Sequence, residues 1–330
     1  MSLFITIFKY FASVYFFVKH ILPFCRYIFN YWRGILKPKD LRKYGKWAVV
    51  TGGSDGIGKG YVLELAKRGL NVCVISRTEL KLKSVCQEVS DKYGTKAEYL
   101  VFDFVDGDYQ DLYKKLSSFP WFDDIGVLIN NVGFLAYGYD CYEKFGAKTL
   151  EDVSKLESMN LKSQKINIHA ACMMTGFILP VFYKKKKGVI VNLSSLSGVT
   201  PTPYWTVYGS AKAFNYYFSE SIRKELNYDF PNIICQVVQP AIVVTSMAPK
   251  FCKPSLHSPS PETFCKFAVS TIGFVDVTAG YWVHDWTHLK VHYLLPYYWN
   301  NLMRKTWMKV QAGRERRRLK QNKQNQTKQE

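Results

Sequence analysis

Between Trp47 and Gln239 the chain alternates short, β-branched apolar runs with amphipathic stretches of helical period, and this alternation restricts the fold more than any other feature. The runs Trp47–Thr51, Asn71–Ser76, Glu98–Asp103, Val127–Asn130, Val189–Ser194 and Ile233–Gln239 read as strands. Each is short and rich in β-branched residues, as parallel strands covered on both faces tend to be. Stretches such as Gly58–Arg68 and Leu80–Lys92 fit between them as helices. The pattern predicts an α/β chain with one parallel sheet and helices on both faces. No internal repeat breaks it, and 48% hydrophobic residues within 330 supply a sizeable core. Lys184–Lys187, just before a strand, reads as a solvated turn.

The first strand runs into Thr51-Gly52-Gly53-Ser54-Asp55-Gly56-Ile57-Gly58, and the next helix begins there. A glycine-rich strand-to-helix turn of this kind cradles a dinucleotide pyrophosphate on the helix N-terminus. Gly52 allows the tight turn, Gly56 lets the backbone approach the phosphates, and Gly58 permits close helix–strand packing. An NAD site places an acid at the end of the second strand, to accept from the ribose 2′-hydroxyl. Here that strand ends Ser76-Arg77, where a guanidinium suits a 2′-phosphate. The expected cofactor is NADP(H), with Lys59 in support of Arg77.

Tyr208-Gly209-Ser210-Ala211-Lys212 offers a phenol and an ammonium one helical turn apart, with Ser195 upstream. Reduction of a carbonyl needs a proton for its oxygen, and a free phenol with pKa near ~10 is a sluggish source. The Lys212 charge is expected to lower the pKa of Tyr208, and the Ser195 hydroxyl to donate to the developing oxyanion.

Glycine turn, serine and Tyr-x-x-x-Lys, in this order, resemble the short-chain dehydrogenase/reductase family over residues 45–250. The resemblance implies a Rossmann-like, doubly wound sheet and further site residues. Asp103 matches the acid that meets the adenine, and Asn130-Asn131-Val132-Gly133 matches the Asn-Asn-Ala-Gly stretch after the fourth strand. Asn167 lies 13 residues before Pro180, and Ser195 lies 13 before Tyr208, both the family's spacing. The implied catalytic set is Tyr208, Lys212, Ser195 and Asn167, with Asn167 positioning a water that resupplies protons through Lys212. Pro240 and Thr245 match the segment that closes on nicotinamide, with Ala241 in place of a glycine. The implied cofactor contacts also include Thr51, Ser54, Asp55, Ile57, Ser76 and the Lys212 ammonium at the ribose.

The chain carries a net charge of +19, but its distribution argues against nucleic acid as a partner. Residues 1–46 hold +8, residues 304–330 another +8, and the body between only +3. A near-neutral body with basic ends suits an anionic membrane surface. Residues 3–32 are apolar and aromatic, interrupted by Lys9, Lys19, His20 and Arg26. They read as a membrane-associated segment that either spans or lies along the bilayer, and not as a cleaved signal peptide. Arg33, Lys37, Lys39, Arg42, Lys43 and Lys46 follow, placing the next domain on the cytosolic side. The 8 cysteines include no Cys-x-x-Cys pair and read as reduced thiols of a cytosol-facing protein.

The expected organisation is a membrane segment at 1–36, a catalytic domain at 37–280, an aromatic lid or membrane-contacting segment at 281–307, and a disordered basic tail at 308–330. His284, His288 and His292 recur at helical spacing, but no ligand set completes a metal site, and none is expected. Within the family, Trp47–Gly52, Asp55–Lys59, Asn131-Val132-Gly133 and Pro259–Phe264 resemble the membrane-bound branch around 17β-hydroxysteroid dehydrogenases types 3 and 12. That branch implies an endoplasmic-reticulum enzyme facing the cytosol, reducing a 3-oxoacyl-CoA in fatty-acid elongation or a 17-ketosteroid. Membrane lipids, other elongation enzymes and a second copy of the chain are the implied partners. The alternative is an inert NADPH-binding scaffold, the state of a relative in the wider group that lacks the catalytic tyrosine. This chain keeps Tyr208.

Overall fold

The computed structural model describes residues 2–135, 149–247 and 253–289, with 305–306, 309–310 and 313 beyond them. Cys141, Pro249, Cys252, His292 and nearly all of the expected basic tail lie outside the described residues.

The strands β1 (Trp47–Thr51), β2 (Asn71–Ser76), β3 (Ala97–Val101), β4 (Ile125–Asn130), β5 (Gly188–Leu193), β6 (Ile233–Val238) and β7 (Val277–Thr278) pair in parallel in the order β3-β2-β1-β4-β5-β6-β7. The first two have the expected bounds, and the others shift by one or two residues. The two-residue β7 has no sequence signal of its own. It forms because Val237 and Val238 of β6 extend the ladder to it.

Strand period divides the core into two layers. Ala48, Val50, Val72, Val74, Val127 and Ile129 face one side, where they pack with α3 (Gly56–Lys67) and α9 (Pro261–Ser270). Val49, Cys73, Ile75, Leu128 and Ile190 face the other, against α5 (Tyr109–Ser117) and α7 (Ala170–Lys185). The order reverses between β1 and β4, and a crevice opens there at the carboxyl ends of the strands.

The N-terminal helical run has two different halves. In α1 (Ser2–Phe16) and the π-turn Phe17–Ile21, every side chain described from Ile5 to Val18 is exposed. In α2 (Leu22–Leu36), Phe29, Trp32 and Leu36 are exposed, but Tyr31 is only 2% exposed. Tyr27 donates to Thr278 Oγ1 at 3.1 Å, and the Arg33 guanidinium lies over the Phe274 ring. The second half of the apolar segment therefore docks on the body beside β7. The aromatic C-terminal segment likewise begins inside the body: in α10 (Trp282–Leu289), Val283, His284 and Asp285 are buried.

The run 150–185 is long and apolar enough to cross a membrane, but half of its apolar 18-residue stretch is buried, and it is the core helix that carries Asn167. Of lysines 184–187, three are exposed as expected of a solvated turn, and only Lys185 is half-buried. Lys184 pairs with Asp123 at 2.8 Å, and Lys185 donates to the carbonyls of Tyr44 and Ile125.

Candidate active site

The glycine turn is built as its residue types demand. Gly52 sits at φ +64°, a left-handed conformation that side chains disfavour. A Cβ on Gly58 would stand 2.2 Å from the Gly52 carbonyl oxygen, so only glycine fits there. Asp55 caps α3 by accepting from the Gly56 N–H at 2.7 Å. Thr51 acts from beneath: its hydroxyl donates to the Ile129 carbonyl and accepts from the N–H groups of Asn131 and Val132. The Asn131 amide donates to the carbonyls of Thr51 and Gly52, fixing the turn against the end of β4. Ser54 and Ser76 share a 2.8 Å hydrogen bond that ties the turn to the end of β2.

These elements line one groove at the topological switch point. Gly52, Ser54, Asp55, Gly56 and Ile57 form one wall, Ser76, Arg77 and Asp103 extend it, and Asn131 and Gly133 form the floor. Tyr208, Lys212, Pro240 and Thr245 close the far end. Asn130 turns away from this groove. Its amide donates to Asn192 Oδ1 at 2.8 Å and Thr175 Oγ1 at 2.9 Å, in a buried ladder between β4, β5 and α7.

Lys59, expected beside Arg77, is paired with Glu88 at 2.7 Å. The second cation at the groove is Lys81 of α4 (Glu79–Tyr93), whose ammonium lies 3.2 Å from Asp55. Its only sequence signal was a place in the first turn of the helix that follows Arg77. Lys162, set over the Phe134 ring at 5.0 Å, also lines the groove and had none.

The residues expected to form the catalytic set converge from three places. Asn167 lies in a π-turn, Lys165–His169, between α6 (Leu150–Gln164) and α7. Single π-turns inside α-helices are frequent at functional sites. Its side chain spans the Phe134 backbone, accepting from the N–H at 2.9 Å and donating to the carbonyl at 2.8 Å. Ser195, just past β5, accepts from both the N–H and the hydroxyl of Ser197, which leaves its own proton free to donate. Tyr208 and Lys212 lie in the first two turns of α8 (Thr206–Asp229). Lys212 is buried and donates to the Leu193 carbonyl at 2.9 Å. A Cβ at Gly133 would stand 3.4 Å from both Asn167 Oδ1 and Lys212 Nζ, so these two groups flank the same glycine.

Burial dominates the proton affinities. It pushes the Tyr208 phenol up to about 12, with the Ser195 hydrogen bond pulling the other way. It also pushes the Lys212 ammonium down to about 8. The expected lowering of the tyrosine by Lys212 does not emerge: desolvation dominates, and Ser195 rather than Lys212 opposes it.

Comparison with known proteins decides the family: the short chain dehydrogenase family matches residues 46–254. The chain belongs to the short-chain dehydrogenase family. Within it, a very-long-chain 3-oxoacyl-CoA reductase from Anas platyrhynchos is 42% identical over 236 residues, covering 72% of each chain. A hydroxysteroid dehydrogenase-like protein 1 from Gallus gallus is 39% identical over 74% of this chain and 71% of its own. Among solved structures, a short-chain dehydrogenase from Sphingobium yanoikuyae in complex with NADPH has the same fold, with a TM-score of 0.56 at 24% identity over 67% of this chain and 82% of its own. The short-chain dehydrogenase fold accounts for the parallel sheet, its crevice and the approach of Ser195 to Tyr208.

Proposed function

We propose that this short-chain dehydrogenase is an NADPH-dependent ketoreductase that acts on 3-oxoacyl-CoA at a membrane surface. The observation that carries the reading is the convergence of Tyr208, Ser195, Lys212 and Asn167 beside a groove shaped for a dinucleotide. The glycine turn and the N-terminus of α3 would hold the pyrophosphate, and Asp103 the adenine end. Arg77 and Lys81 put two cations where a 2′-phosphate would lie, and no acid stands at the end of β2. The NADPH complex of the Sphingobium yanoikuyae relative fits this preference.

When bound, the nicotinamide cofactor supplies a hydride to the carbonyl carbon. Tyr208, protonated at neutral pH, gives its phenolic proton to the carbonyl oxygen. The Ser195 hydroxyl donates to the same oxygen as negative charge develops there. The Lys212 ammonium stabilises the phenolate that Tyr208 becomes, and Asn167 orders the path by which the proton is replaced. The acyl-CoA reading is favoured over a 17-ketosteroid by the identity to 3-oxoacyl-CoA reductases. The exposed aromatic face of α1 and α2 and the basic residues after it would hold the body on an anionic bilayer, at the cytosolic face of the endoplasmic reticulum.

The test is NADPH consumption by membranes bearing the protein, with a matched panel of 3-oxoacyl-CoAs and 17-ketosteroids. Reduction confined to steroids would overturn the substrate reading. No reduction of either, with NADPH bound, would leave the scaffold.

A further inference from the structure

The segment Pro240–Thr245 carries two groove-lining residues, and Thr245 lies beside the glycine turn. A Cβ on Gly56 would stand 3.1 Å from Thr245 Cγ2. The position of this segment therefore sets the width of the groove above the pyrophosphate turn. Its own fastening comes from α10. The Ala241 N–H donates to His284 Nδ1 at 3.3 Å, and the opposite ring nitrogen, Nε2, meets the His257 carbonyl at 3.1 Å. Between these contacts the Val244 N–H donates to the Pro259 carbonyl at 3.0 Å. One imidazole thus bridges the two stretches that run to and from this side of the groove.

We propose that His284 is a positioning residue for the cofactor: it clamps Ala241 to His257 and so holds Thr245 against the glycine turn. The proposal rests on the reading of the groove as a dinucleotide site.

The chemistry of the ring suits the role. Accepting from Ala241 requires a bare Nδ1, so the proton sits on Nε2 and faces the His257 carbonyl. A second proton would set donor against donor at Ala241. Burial prevents this by holding His284 down to about 4, so the clamp is neutral in the working pH range. Packing fixes the ring as well, with Tyr281 edge-on at 5.3 Å and Phe264 at 6.1 Å between centroids. The next residue secures the helix start: Asp285 accepts from the Ala279 N–H at 2.6 Å and from Thr278 Oγ1 at 3.0 Å.

The test uses the full-length chain and NADPH itself, with His284→Leu and His284→Asn compared by NADPH fluorescence titration and thermal unfolding. Leucine keeps the packing but offers no acceptor, whereas the asparagine carbonyl stands close to the position of Nδ1. His284→Leu is expected to weaken NADPH about tenfold, the size set by one unsatisfied buried donor. His284→Asn should recover most of that loss, and Thr245→Ala should show no further loss when combined with His284→Leu. Equal NADPH affinity in native and leucine forms would overturn the proposal, as would equal losses in the leucine and asparagine forms. Additive losses with Thr245→Ala would also overturn it. A native chain that binds no NADPH would instead overturn the cofactor reading.

Discussion

The Lys212 ammonium donates to the Leu193 carbonyl at 2.9 Å and lies 5.8 Å from the centroid of the Tyr208 ring. Both groups are desolvated, and this puts the lysine, at about 8, well below the tyrosine, at about 12. As pH rises, the charge on Lys212 is the first to go. Ketone reduction should therefore fall above about pH 8, because the phenolate left on Tyr208 loses its counter-charge. A pH profile of kcat/KM checks this, and a flat profile to pH 10 would contradict it.

Tyr208→Phe removes one oxygen and keeps the ring, which meets Trp205 edge-on at 5.8 Å. Folding and NADPH binding should survive, while single-turnover reduction falls by about 10²–10⁴-fold. Fluorescence titration beside rapid-quench turnover separates the two effects.

Arg77→Glu should weaken NADPH by about tenfold or more while sparing NADH, because a charge-assisted partner of the 2′-phosphate becomes a repulsive one. Lys81→Ala should act in the same direction but less, since Lys81 also pairs with Asp55. Paired Kd values for the two cofactors give the answer. An equal loss of both would assign Arg77 to folding alone.

The two halves of the N-terminal run should separate by truncation. A chain beginning at Leu22 loses the exposed α1 and should partition less into membranes, with an unchanged melting temperature. A chain beginning at Lys37 also loses Tyr31 from the core and the Tyr27–Thr278 bond. It should lose about 2–3 kcal/mol of stability, the worth of one large buried side chain.

Asp285 gives stability an unusual pH slope. Burial raises its carboxyl from 3.8 to about 6, while hydrogen bonds from Tyr27, Ala279 and Thr278 pull the other way. Between those values the folded chain keeps a proton that the unfolded chain has released, so stability falls as pH rises through the window, by about 3 kcal/mol. Asp285→Asn should flatten that slope. Urea denaturation at stepped pH measures it.

Much of the site was legible because its signals are local. Strands β1 and β2 stand out as unbroken apolar runs, and Tyr208 and Lys212 share a helix face by spacing alone. Other features left little trace. Lys162 and Lys81 reach the groove from separate helices, and Lys59, nearer Arg77 in expectation, is drawn off by Glu88. Asn130 sits next to groove-lining Asn131, yet strand alternation sends its side chain into the opposite layer. His284 and Asp285 lie in the aromatic stretch expected as a lid or membrane-contacting segment, but both are buried with their polar atoms satisfied.

The sequence by itself determined the parallel sheet, the glycine turn and the spacing of Ser195, Tyr208 and Lys212, because periodicity and spacing act along one element at a time. Only the tertiary structure decided that Tyr27 meets Thr278 from 251 residues away, that Asn167 sits in a π-turn, and that Tyr208 is pushed up rather than down. Those outcomes depend on which groups lose water and which partners replace it, and both are set by elements that meet only after the chain has folded.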